Sequence, residues 1–231
     1  MRKNLFGSLL NHYRNMFGIF DGIHFNSTLT QSVFDEHVQT NQGSAISITH
    51  GDITDNRKAR EYSENYLYMV FIGHRTVYKG YPLLEEVLLE LEQEGFTNWR
   101  LDAWGSSGDS NNERIHYRGS FAHSELGDVF AQDSVLMVPS VWNETFSLVA
   151  LEALSFGTPT LVSSTVGAKD VVKEYDDWFI FTDKLDLKNK LRTLMEDSSK
   201  LKEFNSQICT QEWRHSMAQH ALEIEEFYRS L

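Results

Sequence analysis

The chain of 231 residues carries a formal net charge of −12 and a pI near 5.2, which argues against broad nucleic-acid binding, since that needs a basic face. With 41% hydrophobic and 23% charged residues and only three prolines, it has the make-up of a folded domain rather than a disordered or Pro-rich chain. Its one cysteine, Cys209, excludes an internal disulfide, fits a reducing, cytoplasmic setting, and reads as a packing residue rather than a nucleophile.

The first 60 residues read as helix, strand, helix, strand. Phe6, Leu9, Leu10, Tyr13 and Phe17 recur at helical spacing and predict a helix over 4–17, with Arg2, Lys3 and Arg14 among its polar residues. Two readings stand for it: a packed helix with a solvated basic face, which is favoured, or a helix lying on an anionic membrane surface. It lacks the continuous apolar core of a signal peptide, and no stretch of the chain approaches the roughly 18 apolar residues of a spanning helix. A short strand is expected over 19–25, a helix capped by Ser27 or Thr28 through about Val38, and a strand over 45–49 ending at Gly51. The polar stretch GDITDNRKAREYSEN, residues 51–65, is expected to be a linker.

From Tyr66 the pattern becomes a regular α/β alternation. YLYMVFIG reads as a buried strand, and Leu83, Leu84, Val87, Leu88 and Leu91 mark a helix face closed by Gly95. RLDAWG and IHYRG are the next strands, separated by the turn-rich SSGDSNNER. There follow a short helix over 124–130, the strand SVLMVPS, a helix over 146–155 stopped by Gly157 and Pro159, the strand TLVSS, a short helix over 168–174 and the strand WFIF. Helices over about 185–203 and 212–230 complete the chain. Strands separated by helices imply a parallel sheet covered on both faces. Such sheets bind ligands beyond the carboxyl ends of their strands, so functional residues should stand just after Ile72, Ala103, Tyr117 and Val138.

Two of those strand ends carry suggestive chemistry. In GHRTVYKG, residues 73–80, Gly73 permits a tight turn, and Arg75 and Lys79 place two cations on one loop. A diphosphate needs such charge, although a solvated loop carries it equally well. In PSVWNETFSLVALEALSFGTP, residues 139–159, Glu144 falls in a loop and Glu152 within a helix. The amides of Phe146, Ser147 and Leu148 at that helix's N-terminus would form an anion site. Carboxylates beside it suit the vicinal hydroxyls of a sugar or ribose. A nucleotide sugar would use both features. Spacing alone leaves open the alternative of one Glu favoured by the helix dipole and one on the surface. The nine histidines show no His-Glu-x-x-His spacing, and no Asp-x-Asp pair stands out after a strand. Neither a metal nor a resident cofactor is expected. Asn-x-Ser/Thr triplets begin at Asn26 and Asn143, and modification of the second would be incompatible with a site at Glu144.

The segment PSVWNETFSLVALEALSFGTP resembles the signature of the retaining group 1 glycosyltransferases, whose two facing Rossmann-like domains form the GT-B arrangement. GHRTVYKG resembles that family's diphosphate loop, and WRLDAWG, IHYRGSF and LVSSTVGAKDVV resemble further segments in the family's order. The resemblance runs from about Tyr66 to Phe181. It extends more weakly back to FDGIHFNSTLTQSVFDEH and ISITHGDI, and forward to EWRHSMAQHALEIEEFYRSL. It implies an α/β fold with three parts: a truncated remnant of the N-terminal, acceptor-side domain plus linker over 1–60; the Rossmann-like parallel sheet of a C-terminal nucleotide-sugar-binding domain over 61–210; and a terminal helix over 211–231 crossing back.

By the same resemblance, the chain would transfer a hexose from a UDP- or GDP-sugar to a hydroxyl of a glycan or glycolipid acceptor in polysaccharide synthesis. The setting would be cytoplasmic, with peripheral contact at the inner membrane face as one option. Glu144 would be the catalytic contact to the donor sugar and Glu152 would hold the ribose hydroxyls. Gly73, Arg75, Lys79 and the amides of Phe146, Ser147 and Leu148 would receive the diphosphate. Ser147, Ala168 and Asp170 depart from a commoner Gly, Gly and Glu. The family's acceptor-side histidine is not matched by His12, His24 or His37. An acceptor domain largely missing from the chain implies a homo-oligomer or a partner chain covering residues 1–50. It also leaves a non-catalytic donor-binding half as an alternative, beside a plain α/β interaction domain that binds no nucleotide.

Overall fold

The computed structural model describes residues 2–38, 43–46, 53–131 and 134–231, with backbone alone at 2–6 and 43–46. The chain forms two compact units, Met1–Ile53 with Arg214–Leu231, and Thr54–Trp213.

The first unit contains α1 (Arg2–Phe17), β1 (Gly22–Phe25), α2 (Thr28–His37) and β2 (Gly43–Ile46), with β1 and β2 parallel. Ser27 starts α2 by accepting a hydrogen bond from the Thr30 amide at 3.1 Å. Phe34 of α2 meets Phe17 at 4.9 Å and Phe25 at 5.2 Å between ring centroids. Strand β1 is shorter than the sequence suggests, because 19–21 belong to the turn that follows α1. The strand expected over 45–49 is seen at 43–46, and its remainder and the first two linker positions, 47–52, lie outside the described residues.

The second unit contains β3 (Leu67–Ile72), α3 (Tyr81–Gln93), β4 (Trp99–Trp104), β5 (Ile115–Gly119), α4 (Leu126–Val129), β6 (Ser134–Val138), α5 (Leu148–Ser155), β7 (Thr160–Ser163), α6 (Lys169–Tyr175), β8 (Ile180–Phe181), α7 (Lys184–Glu196) and α8 (Ser199–Thr210). The last helix, α9 (Met217–Ser230), returns to the first unit. There Phe227 and Leu231 close on Gly22 so tightly that a Cβ at Gly22 would meet each at 2.7 Å.

The six strands are all parallel, in the order β5-β4-β3-β6-β7-β8. Every residue of β6 is buried, as a central strand covered on both faces requires. The apolar face of α3, Leu84, Val87, Leu88 and Leu91, is wholly buried. Each such side chain contributes about 1.5–3 kcal/mol of transfer free energy. The order steps one way from β3 through β4 to β5, and the other way from β6 to β8. The loops after β3 and β6 therefore diverge at the topological switch point, where open α/β sheets bind ligands.

Further differences from the sequence reading concern the last helices and the expected linker. The helix expected over 185–203 is two helices, because Asp197 is extended (φ −150°, ψ 122°) and its carboxylate accepts from the Ser199 amide at 2.8 Å, starting α8. The final helix starts at Met217 rather than 212, where Ser216 accepts from the Gln219 amide at 3.2 Å. The described part of the expected linker is bound along the second unit. Arg57 donates to the carbonyls of Ile208 and Gln211 at the end of α8 and pairs with Asp55 at 2.8 Å. The Arg60 amide donates to Asn205 Oδ1 at 3.0 Å. Among the described residues, no helix is long and apolar enough to cross a membrane.

Candidate functional site

The loops after β3 and β6 are drawn together by backbone contacts. Gly80, at φ 68°, lies so close to Pro139 that a Cβ would sit 1.6 Å from the Pro139 carbonyl oxygen, so only glycine fits. The Val141 amide donates to the Tyr78 carbonyl at 3.1 Å. Between the loops lies a cavity of about 200 Å³. Phe71, Met137 and Val138 give it an apolar floor, and Gly73, His74, Lys79, Ser140, Glu144, Ser147 and Leu148 contribute to its wall.

Glu144 is fixed from both ends. Its backbone forms a parallel bridge with Val166, its amide donates to the Thr165 carbonyl at 2.9 Å, and its carbonyl accepts from the Gly167 amide at 2.9 Å. Its carboxylate receives Lys79 Nζ at 2.7 Å and Ser140 Oγ at 2.6 Å. Thr165 Oγ1 donates in turn to the Ser140 carbonyl at 2.6 Å. A carboxylate offers about four lone-pair sites, so these two donors take roughly half of Glu144's capacity.

The helix that bounds the cavity begins at Leu148, two residues later than the sequence suggests, because Ser147 adopts φ 98°, ψ 91°, incompatible with a helical turn. Ser147 is the one non-glycine residue at positive φ among the described residues. This strained position carries the serine that replaces a glycine expected from the family pattern. The amides of Ser147 and Leu148 lie at the open N-terminal end of α5, where intrahelical acceptors run out. Phe146 precedes Ser147 with its side chain turned into the core. Its ring is buried, its carbonyl accepts from the Ala168 amide at 2.8 Å, and Val149 lines the cavity instead.

The other two expected residues stand apart from the cavity wall. Arg75 lies over Tyr117, with its guanidinium carbon 3.7 Å from the ring centroid, and donates to the Ser107 carbonyl at 3.2 Å. Glu152 lies on the second turn of α5, with His123 Nδ1 3.7 Å from its carboxylate. Burial pushes its carboxyl above the usual carboxylate range, and His123 opposes this more weakly. Sequence reasoning passed over Ser140, Thr165 and His123, and took Tyr117 as a strand end without its contact to Arg75. Small hydroxyl residues that orient a carboxylate, and an aromatic ring that holds an arginine, carry no local pattern. Among the described residues, no three His, Cys, Asp or Glu side chains come together as metal ligands would.

The model of the family described as "Glycosyl transferases group 1" matches residues 52–209. A 41.2 kDa protein of the cps region of Klebsiella pneumoniae is 27% identical over 122 residues, 49% of this chain and 32% of that protein. The sulfoquinovosyl transferase SQD2 of Arabidopsis thaliana is 35% identical over 86 residues, 35% of this chain and 17% of that protein. This chain thus spans about a third or less of the length of these relatives. Among solved structures, Anabaena Alr3699/HepE in complex with UDP superposes with a TM-score of 0.76 at 18% identity, over 97% of this chain and 68% of that one. At that identity the likeness speaks for the fold.

Proposed function

Since the chain belongs to the group 1 glycosyl transferases and has the GT-B fold, we propose that it takes a UDP- or GDP-hexose in the switch-point cavity and transfers the hexosyl group, with retention, to a hydroxyl of a glycan or glycolipid. The observation that carries this reading is the meeting of Lys79, Glu144 and the open end of α5 around one cavity.

Transfer breaks the bond between the anomeric carbon and the diphosphate oxygen, and forms a bond from the acceptor oxygen to that carbon on the same face. Negative charge develops on the departing diphosphate. Lys79 and the amides of Ser147 and Leu148 are fixed where that charge grows, so they favour the transition state over the ground state. Arg75 adds a second cation once it leaves Tyr117. The chain's own cations and amides thus supply the charge, and no metal is assigned to the site. The free lone pairs of Glu144 take donor-sugar hydroxyls and its negative charge favours the electron-poor ring, while Glu152 takes the ribose hydroxyls. The leaving diphosphate oxygen accepts the acceptor's proton. The Anabaena protein of like fold is in complex with UDP, which supports a nucleotide as the ligand of this chain. The single cysteine fits a cytosolic setting, where an acceptor on the inner membrane face would be within reach.

The test is release of UDP or GDP from the corresponding radiolabelled hexose donors, with transfer scored on saccharide and glycolipid acceptors. Wild-type chain should turn over and Glu144→Ala should not. Full activity in Glu144→Ala would refute the assigned role. Nucleotide binding without transfer would assign the chain a donor-binding part completed by acceptor-side groups from another chain.

A further inference from the structure

Next to cavity-lining residues in the sequence stands a second feature, to which the proposed function gives no role. Tyr78 and Trp142 are 64% and 65% exposed, and their rings meet edge to face with centroids 5.6 Å apart and planes at 88°. They come from different loops. Tyr78 immediately precedes Lys79, and Trp142 lies between Ser140 and Glu144, all three of which line the cavity. The hydrogen bond from the Val141 amide to the Tyr78 carbonyl fixes the two loops, and so the two rings, to one another. Val77 and Val141, their neighbours in the sequence, are exposed as well. Exposed aromatic rings in mutual contact, flanked by exposed apolar side chains, suit a binding surface.

We infer that Tyr78 and Trp142 form a stacking platform for a sugar ring of the acceptor, at the mouth of the cavity where Lys79 and Glu144 lie. The inference rests on the transferase reading for the word acceptor, and on geometry for the platform itself. An aromatic face is electron-rich, and the face of a pyranose that carries its axial hydrogens is apolar and weakly positive. The pair's perpendicular rings form a corner that touches a sugar on two sides. The Tyr hydroxyl and Trp indole N–H supply the polar handles that a ring bearing hydroxyls needs. A lipid surface would suit the apolar atoms, but the Lys79–Glu144 pair and Asn143 would have to lose water beside it. The acidic chain also repels an anionic membrane.

The test is saturation-transfer NMR on the full chain with cellobiose and maltose as probes at millimolar concentration, without and with saturating UDP. Transfer to the sugar protons should be present and should persist when UDP is bound. It should weaken by roughly tenfold in Tyr78→Ala and Trp142→Ala, and should be partly restored in Trp142→Phe. Both rings are exposed, so the variants should keep the wild-type unfolding midpoint. Three results would overturn the inference: no transfer to either disaccharide, transfer unchanged in Trp142→Ala, or displacement of both sugars by UDP, which would make the platform part of the donor site. A UDP titration of the same samples reads the donor site separately. UDP binding without sugar binding leaves the transferase reading standing and removes the platform. Sugar binding in a chain that binds neither UDP nor, in a parallel titration, GDP does the reverse.

Discussion

Lys79 Nζ lies 2.7 Å from Glu144 Oε1, joining the loop after β3 to the loop after β6 across the switch point of the sheet. The lysine is nearly half exposed and the glutamate largely shielded. A pair of this exposure stabilises a fold by no more than about 1 kcal/mol. Its place at the cavity wall therefore matters more to a ligand than to folding.

For Glu144→Gln, hexosyl transfer should fall by about two orders of magnitude or more, because the amide keeps the shape of the side chain but removes the negative charge near the reacting ring. Unfolding free energy in urea should change by less than about 1 kcal/mol. A large loss of stability with normal transfer would reverse the assignment.

Ser147 offers a test in the opposite direction. Its φ of 98° places a side chain where glycine is preferred, at a cost of roughly 1–3 kcal/mol. Glycine there relieves the strain but loses about 0.5–1 kcal/mol to its greater freedom in the unfolded chain. Ser147→Gly should therefore gain about 1 kcal/mol in urea unfolding. UDP affinity should be unchanged, since the amide is retained.

Glu152 gives a pH signature. Burial raises its carboxyl above the ordinary carboxylate range, so the folded chain favours the neutral form. That contribution is fully present below the unfolded-state pKa of about 4.3 and is lost as pH rises through the raised folded value. Glu152→Gln lacks this dependence. Its stability relative to wild type should grow as pH climbs from the acid side through Glu152's titration, read as urea midpoints at a series of pH values. A difference that shrinks with rising pH would contradict the burial effect.

The parallel sheet was legible because β3 and β6 are continuous apolar runs, and because Gly73, Gly80 and Gly157 mark the turns around them. Glu144 and Lys79 could be singled out because each stands in the loop that follows a buried strand. Other features were hidden by non-local chemistry. Asp197 looks like one more polar residue in a helical stretch, yet its extended backbone ends α7 and its carboxylate accepts from the Ser199 amide, so the helix is split. Arg57 looks like part of a charged linker, yet its partners at Ile208 and Gln211 lie more than 150 residues away. Arg75 was read as a free cation because nothing in its own loop announces Tyr117, which comes from β5. The late start of α5 follows from the conformation of Ser147, and serine is itself an ordinary helix-starting residue.

The sharpest test is calorimetric titration of UDP and GDP into wild-type chain and Lys79→Met. One of the two nucleotides should bind the wild type, and the substitution should weaken it by at least about tenfold, equivalent to about 1.4 kcal/mol, with the unfolding midpoint unchanged. Equal affinity in both proteins, or no binding of either nucleotide to the wild type, would contradict a diphosphate site at the Lys79–Glu144 cavity.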